Sequence, residues 1–191
     1  MLDKKFIRIF RNLFCLIGLL IISPFLFFAA IAIIIEDGIP IFFTQDRFGK
    51  NKSIFKIIKM RTMKKDAPNI GTDQISDKHL LISGKILRKI KLDEFPQLIN
   101  VLKGDINLIG PRPGLENQIE LMESRNAKGI YDIKPGITGL AQVLGYNMSN
   151  PKKLAEIDKV YIQKKSFYVD FLILISTFTS YPKKYLTKII T

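Results

Sequence analysis

The 191-residue sequence holds one cysteine, one histidine and no tryptophan. A lone cysteine excludes an intramolecular disulfide, and with it a disulfide-stapled secreted scaffold. A single histidine argues against a zinc site built on several His and Cys ligands, and against a Cys–His nucleophilic pair. Acidic residues are scarce: 17 Asp and Glu stand against 30 Lys and Arg, a net charge of +13. That excess points to an anionic partner: nucleic acid, a lipid head group or a phosphorylated small molecule. The basic stripe interleaved with aromatics that marks a nucleic-acid binder is absent, as are repeats and low-complexity tracts. The chain is also 47% hydrophobic, with a mean hydropathy of +0.15. This composition excludes disorder as the dominant state, and the length suits one domain with at most an accessory segment.

Charge is missing altogether between Arg11 and Glu36, leaving 24 residues, 12–35, that are nearly all apolar. As a straight helix they would run about 36 Å, against roughly 30 Å of bilayer hydrocarbon. The run is too long for the apolar core of a signal peptide, and no small-residue cleavage site follows it. Ser23-Pro24 stands at its midpoint. Proline removes a backbone hydrogen bond and kinks or breaks a helix, while the Ser23 hydroxyl can satisfy a carbonyl so freed. Both flanks are basic: Lys4, Lys5, Arg8 and Arg11 precede the run, and Arg47, Lys50, Lys52, Lys56, Lys59 and Arg61 follow it. The positive-inside rule therefore selects no orientation. A kinked spanning helix and a re-entrant helix with both ends in the cytoplasm both fit these residues.

Further on, 41–48 and 53–60 read as short strands joined at the turn Gly49-Lys50-Asn51. A polar loop is expected over 64–79, and helices over 80–91, 95–102 (stopped by Gly104), 116–125 and 154–165. The apolar stretch 167–178 is too short to span a bilayer and is interrupted by Asp170; Lys183, Lys184 and Lys188 follow. It suits either an interfacial helix beside an anionic leaflet or a buried core helix with a solvated tail.

Three stretches carry chemistry. In Lys91-Leu92-Asp93-Glu94-Phe95-Pro96-Gln97-Leu98, adjacent carboxylates precede a proline that is tolerated only near a helix start. The helix is therefore expected to begin around Asp93, where its dipole favours ionised carboxylates. Two carboxylates at one spot also suit a hard cation such as Mg²⁺, though simple helix capping would use the same residues. In Gly110-Pro111-Arg112-Pro113-Gly114, two prolines stiffen the backbone about one guanidinium, a planar fork that matches phosphate. An ordinary turn with a solvated arginine is the alternative. The third stretch, Lys134-Pro135-Gly136-Ile137-Thr138-Gly139-Leu140-Ala141-Gln142-Val143, reads by itself as a turn leading into a short strand-like run.

Taken in order, these stretches form a pattern. Together with Lys59-Met60-Arg61-Thr62-Met63, Leu87-Arg88, Asn100-Val101-Leu102-Lys103-Gly104-Asp105 and the Ser23-Pro24 break, they resemble the bacterial sugar transferase family, the monotopic phosphoglycosyl transferases. The resemblance runs from the basic N-terminus to about residue 175 and is to the minimal form of the family. It implies an α+β protein: a re-entrant membrane helix over 1–36, a small, mainly helical cytosolic catalytic domain with a short β-hairpin over 37–165, and an interfacial apolar helix with a basic tail over 166–191.

The implied reaction moves a sugar-1-phosphate from a UDP-sugar to a polyprenol phosphate such as undecaprenyl phosphate. It takes place at the cytosolic face of the bacterial inner membrane, with release of UMP. The family's dyad falls on Asp93, the implied nucleophile that forms an aspartyl-phosphosugar, and on Glu94; the pair is also implied to hold Mg²⁺. Arg88, Arg112 and Lys59 match basic positions implied to contact substrate phosphate. The resemblance implies a membrane and no nucleic acid among the partners, and it is compatible with a homodimer. The chain departs from frequent family residues at Met60 (Phe), Asn107 (Ser) and Leu140 (Trp), none of which is a catalytic group. A membrane-anchored binding module would leave Asp93-Glu94 and the Pro-Arg-Pro loop without a role. A Mg²⁺-dependent lipid phosphatase could use the same carboxylates but would release inorganic phosphate.

Overall fold

The long uncharged run folds as one helix, α1 (Lys4–Asp37), with Pro24 inside it. Proline 24 has no N–H to give to the carbonyl four residues back, that of Leu20. The Ser23 hydroxyl donates to that same Leu20 carbonyl at 2.8 Å, so helical secondary structure continues through the Ser23-Pro24 step. The structure, a computed structural model, describes residues 4–68, 77–179 and 182–190. Part of the expected 64–79 loop lies outside the described residues.

After α1 come β1 (Phe42–Phe48) and β2 (Ile54–Met60), α2 (Ile82–Lys89), α3 (Gln97–Lys103), β3 (Asn107–Ile109) and α4 (Ile119–Ala127). Then follow β4 (Gly136–Thr138), α5 (Leu140–Val143), α6 (Pro151–Lys164), α7 (Phe167–Phe178) and α8 (Lys183–Ile190). The protein is thus α+β, mainly helical, with the expected β1–β2 hairpin as one two-stranded sheet and β3–β4 as another. The second sheet is parallel, with Asn107 opposite Gly136 and Ile109 opposite Thr138. Local chemistry sets the helix ends. Gly104 takes the left-handed conformation (φ 86°) that stops α3. The Asn150 side chain caps α6 just ahead of Pro151, and the Ser166 side chain caps α7, in keeping with the preference of small polar side chains and N-terminal proline for helix starts.

The chain divides into two compact units. The first comprises residues 1–45 and 56–104. Its core is Ala29 and Ile33 of α1 with Met60, Leu81, Leu87 and Leu92; Ile22, Leu26, Ile41 and Phe95 pack against them. The opposite side of α1 is bare: Leu20, Ile21, Phe27, Phe28 and Ile35 are all exposed. The carboxylate of Glu36 accepts from Ile82 N, Ser83 N and the Ser83 hydroxyl, joining the end of α1 to the start of α2. Arg61, which is buried, donates to the Asp37 carboxylate and to the Pro40 carbonyl.

The second unit comprises residues 46–55 and 105–191. Leu121, Leu140, Val143, Leu154, Ile157, Tyr161, Val169, Ile173 and Leu186 form its core. One face of α7 therefore enters that core, whereas Phe167, Tyr168, Phe171 and Phe178 of the same helix stay exposed.

Candidate active site

The dyad does not open a regular helix. Lys91 adopts a left-handed conformation (φ 58°), and Leu92–Glu94 form a single tight 3-10 turn. Helix α3 begins only at Gln97, with Pro96 as the preceding residue. The expectation of a helix starting around Asp93 is corrected accordingly. The carboxylate sits in a turn whose backbone is reversed at Lys91, and Pro96, lacking a donor, begins the regular helix without losing a hydrogen bond.

That turn drives Leu92 into the core and takes Asp93 with it; the aspartate is 8% exposed. Burial pushes its carboxyl above the ordinary Asp range; the charge of Lys59 opposes this, Glu94 adds to it, and Arg88 also opposes it. The side chains of Asp93, Glu94, Lys59 and Arg88, singled out from sequence, thus come together in the first unit. Lys59 donates to Glu94 Oε1 at 2.9 Å. Arg88 donates from Nε to the Thr62 hydroxyl at 3.0 Å.

Two further residues hold the supports in place. Asn100, fully buried, accepts from Ile58 N at 3.0 Å and donates to the Lys56 carbonyl at 2.8 Å. Its amide takes the place of a neighbouring strand and fixes β2, and hence Lys59, against α3. Gly84 lets α2 approach the chain at Thr62: a Cβ there would lie 2.1 Å from the Thr62 carbonyl oxygen. Leu81 N donates to that carbonyl at 3.0 Å. Thr62 and Asn100 lie in stretches that carry the resemblance but were given no role, and Gly84 did not stand out in the sequence. The available signals were a polar residue on the apolar side of α3 and a glycine within a helical pattern.

Arg112 belongs to the second unit, in the loop after β3. Pro111 and Pro113 carry no N–H, so the loop is held through its carbonyls: the Pro111 carbonyl accepts from Gly136 N and the Gly114 carbonyl from Phe48 N. Gly110 and Gly136 are needed for this approach, since a Cβ on either would fall within 3 Å of the other's backbone. The third stretch thereby acquires a role: Gly136 is the strand residue on which the arginine loop rests.

Among the described residues no group of three or more His, Cys, Asp or Glu side chains forms a metal cage. Mg²⁺ is usually held by only one or two carboxylates, with water and substrate phosphate completing its shell. Asp93 and Glu94 supply that number. Chemically, a buried carboxylate kept ionisable by two cations can serve as a nucleophile, as a metal ligand, or as both in turn.

Residues 2–184 match the sequence model described as bacterial sugar transferase. Among curated proteins, the chain is 37% identical over 155 residues to an uncharacterized sugar transferase, EpsL, of Bacillus subtilis, covering 81% of this chain and 76% of that protein. It is 37% identical over 169 residues to the UDP-glucose:undecaprenyl-phosphate glucose-1-phosphate transferase of Caulobacter vibrioides, covering 83% of this chain and 62% of that one. It is 34% identical over 168 residues to the UDP-N-acetylgalactosamine-undecaprenyl-phosphate N-acetylgalactosaminephosphotransferase of Aeromonas hydrophila, covering 84% and 40%. The match thus spans less than two thirds of both relatives whose names state a substrate.

Proposed function

The chain belongs to the bacterial sugar transferase family, and from that premise we propose that it transfers a sugar-1-phosphate from a UDP-sugar to undecaprenyl phosphate, with release of UMP. The observation that carries this reading is the buried Asp93 carboxylate under the charges of Lys59 and Arg88. Phosphoryl transfer needs positioned charge more than acid–base groups, and this cluster is two adjacent carboxylates, the buried Asp93 and Glu94, with the cations Lys59 and Arg88 beside them. The names of the Caulobacter and Aeromonas relatives supply the reaction class.

In the proposed mechanism an Asp93 oxygen attacks the sugar-bearing phosphorus of the donor. A bond forms between that oxygen and phosphorus, the bond from phosphorus to the bridging oxygen breaks, and UMP departs with the electron pair. A phosphate oxygen of the polyprenol carrier then attacks the same phosphorus, and the Asp93 carboxylate leaves. Splitting one displacement into two is the general advantage of a covalent nucleophile. Arg88 and Arg112 would bind phosphate oxygens; Lys59 would hold Glu94 in place and favour the ionised form of Asp93. Asp93 and Glu94 would hold Mg²⁺, whose chemistry there would be to neutralise pyrophosphate charge.

The site would work at the cytosolic face of the inner membrane, with α1 as a re-entrant anchor over residues 12–35. Three features support a membrane location. Residues 8–37 are long and apolar enough to cross a bilayer. Ile82 and Ile86 of α2, with Ile90 just after it, are exposed and have Lys85 and Lys89 beside them, a pairing suited to an anionic leaflet. In the second unit, Phe167, Tyr168 and Phe171 of α7 are exposed apolar side chains as well.

The test separates a covalent route from direct attack by the lipid. Purified enzyme, Mg²⁺ and a panel of UDP-sugars are mixed without lipid acceptor. The covalent route gives a burst of UMP approaching about one per active site, and a phosphosugar adduct on the peptide containing Asp93. Asp93→Asn abolishes both. Should the donor that supports full turnover yield neither product until polyprenol phosphate is added, Asp93 is not the nucleophile.

A further inference from the structure

Four consecutive carbonyls of the Arg112 loop are each held by a donor. Beyond the Pro111 and Gly114 bonds described above, the Pro113 carbonyl accepts from Arg47 Nη1 at 3.2 Å, and the Arg112 carbonyl accepts from Arg125 Nη1 at 2.7 Å. Arg125 lies on α4 and is 1% exposed. Its other two nitrogens both go to one oxygen of Asp158 on α6, Nε at 2.9 Å and Nη2 at 2.6 Å. Asp158 is itself 2% exposed.

We propose that the buried Arg125–Asp158 pair is the positioning device of Arg112, fixing its backbone so that its guanidinium is presented to substrate phosphate in one place. Stability alone is a weak reason for such a pair, because the desolvation of two buried charges cancels most or all of their attraction. Its geometry gives the better reason. A guanidinium is a rigid plane, so anchoring Nε and Nη2 on Asp158 fixes the direction of Nη1. That third nitrogen ends on the carbonyl of the residue between the two prolines. The prolines in turn leave the loop with few donors of its own, so external donors decide where Arg112 stands. Lysine at 125 would keep the charge opposite Asp158 but has no fork to serve Asp158 and the Arg112 carbonyl together.

The inference rests on the reading of Arg112 as a phosphate contact, and its test has an arm that does not. In the first arm, amide hydrogen exchange is followed by mass spectrometry on the full detergent-solubilised chain, without substrate. Arg125→Lys is expected to speed exchange at the Phe48 and Gly136 amides, which donate to the Gly114 and Pro111 carbonyls of the loop, while the amides of α6 keep their rates. In the second arm, kcat/KM is measured with whichever of UDP-glucose, UDP-galactose, UDP-N-acetylglucosamine or UDP-N-acetylgalactosamine releases most UMP. Arg125→Lys is expected to lower it about tenfold in the native background and less than about twofold when Arg112 is already Met, the non-additivity of residues acting through one another. Unchanged exchange at these two amides overturns the proposal, and so do losses that multiply in the double variant. If Arg112→Met alone leaves kcat/KM unchanged, the phosphate-contact reading fails and the exchange arm decides positioning by itself. If Arg125→Lys does not fold, Asp158→Asn, which keeps the side chain's size but weakens the anchor of Nε and Nη2, takes its place under the same exchange criterion.

Discussion

Lys59 Nζ lies 2.9 Å from Glu94 Oε1, and the same ammonium is the strongest influence opposing the burial-driven rise of the Asp93 pKa. One cation therefore serves both carboxylates of the dyad, by contact with Glu94 and by its field at Asp93. If Asp93 must be ionised to attack, the acid limb of kcat/KM reports its ionisation in the free enzyme. Lys59→Met removes an influence that lowers the pKa, so that limb moves to higher pH, and the rate at neutral pH falls by about tenfold or more. A pH–rate profile with an unmoved acid limb would detach Lys59 from Asp93.

The raised pKa of Asp93 also has a stability consequence. Between its unfolded and its higher folded pKa, the unfolded chain holds fewer protons than the native one, so stability falls as pH rises through that window. Above the folded pKa the penalty is fully present. Asp93→Asn, uncharged at every pH, is therefore expected to melt higher than the native protein at neutral pH while being inactive. The gap should close when both are measured at acid pH. A lower melting temperature for Asp93→Asn at neutral pH would contradict the burial argument.

At Gly84 helix propensity and packing point in opposite directions. An interior glycine replaced by alanine ordinarily stabilises a helix by about 0.5–1 kcal/mol. Here the new Cβ would meet the Thr62 carbonyl at 2.1 Å, so α2 must move away. We expect Gly84→Ala to destabilise the protein by about 1–3 kcal/mol and to lower kcat/KM by shifting Arg88 from the Thr62 hydroxyl. Denaturant unfolding decides the sign, and stabilisation would show that α2 is not held by this contact.

The re-entrant reading of α1 is open to a labelling experiment. Single cysteines at Asp3→Cys and Ile39→Cys, each in a Cys15→Ser background, are treated with a membrane-impermeant thiol reagent outside sealed spheroplasts. A re-entrant helix protects both positions. Reaction of the residue-3 cysteine alone would mean that α1 spans the bilayer.

The elements that sequence patterning revealed were the ones long enough to display a period. The hairpin strands, α2, α6 and α7 fall close to their expected positions, because alternation and i, i+4 spacing accumulate over seven or more residues. Strands β3 and β4 have three residues each, too few to show alternation; they exist because Gly110 and Gly136 allow two backbones to meet. At the dyad the types of residue were legible but the backbone was not. A left-handed Lys91 has no sequence signature, and it is what converts an expected helix start into a turn that buries Asp93. Arg125 and Asp158 passed as ordinary charges. Yet each stands four residues after a core leucine, Leu121 and Leu154, and a charge on the apolar stripe of a helix was the signal to follow.

The division of the hairpin between the two units bears on the order of assembly during synthesis. All residues of the first unit, α1 and the dyad included, have been made once residue 104 is added. The hairpin tip then still lacks its partners: Arg47 waits for Pro113, 66 residues downstream, and Phe48 waits for Gly114. At roughly 5–20 residues per second Pro113 follows Arg47 by about 3–13 s and follows residue 104 by about 0.5–2 s. The nascent chain therefore completes the part with the membrane helix and the carboxylates first. The arginine loop settles afterwards, on a hairpin end already made.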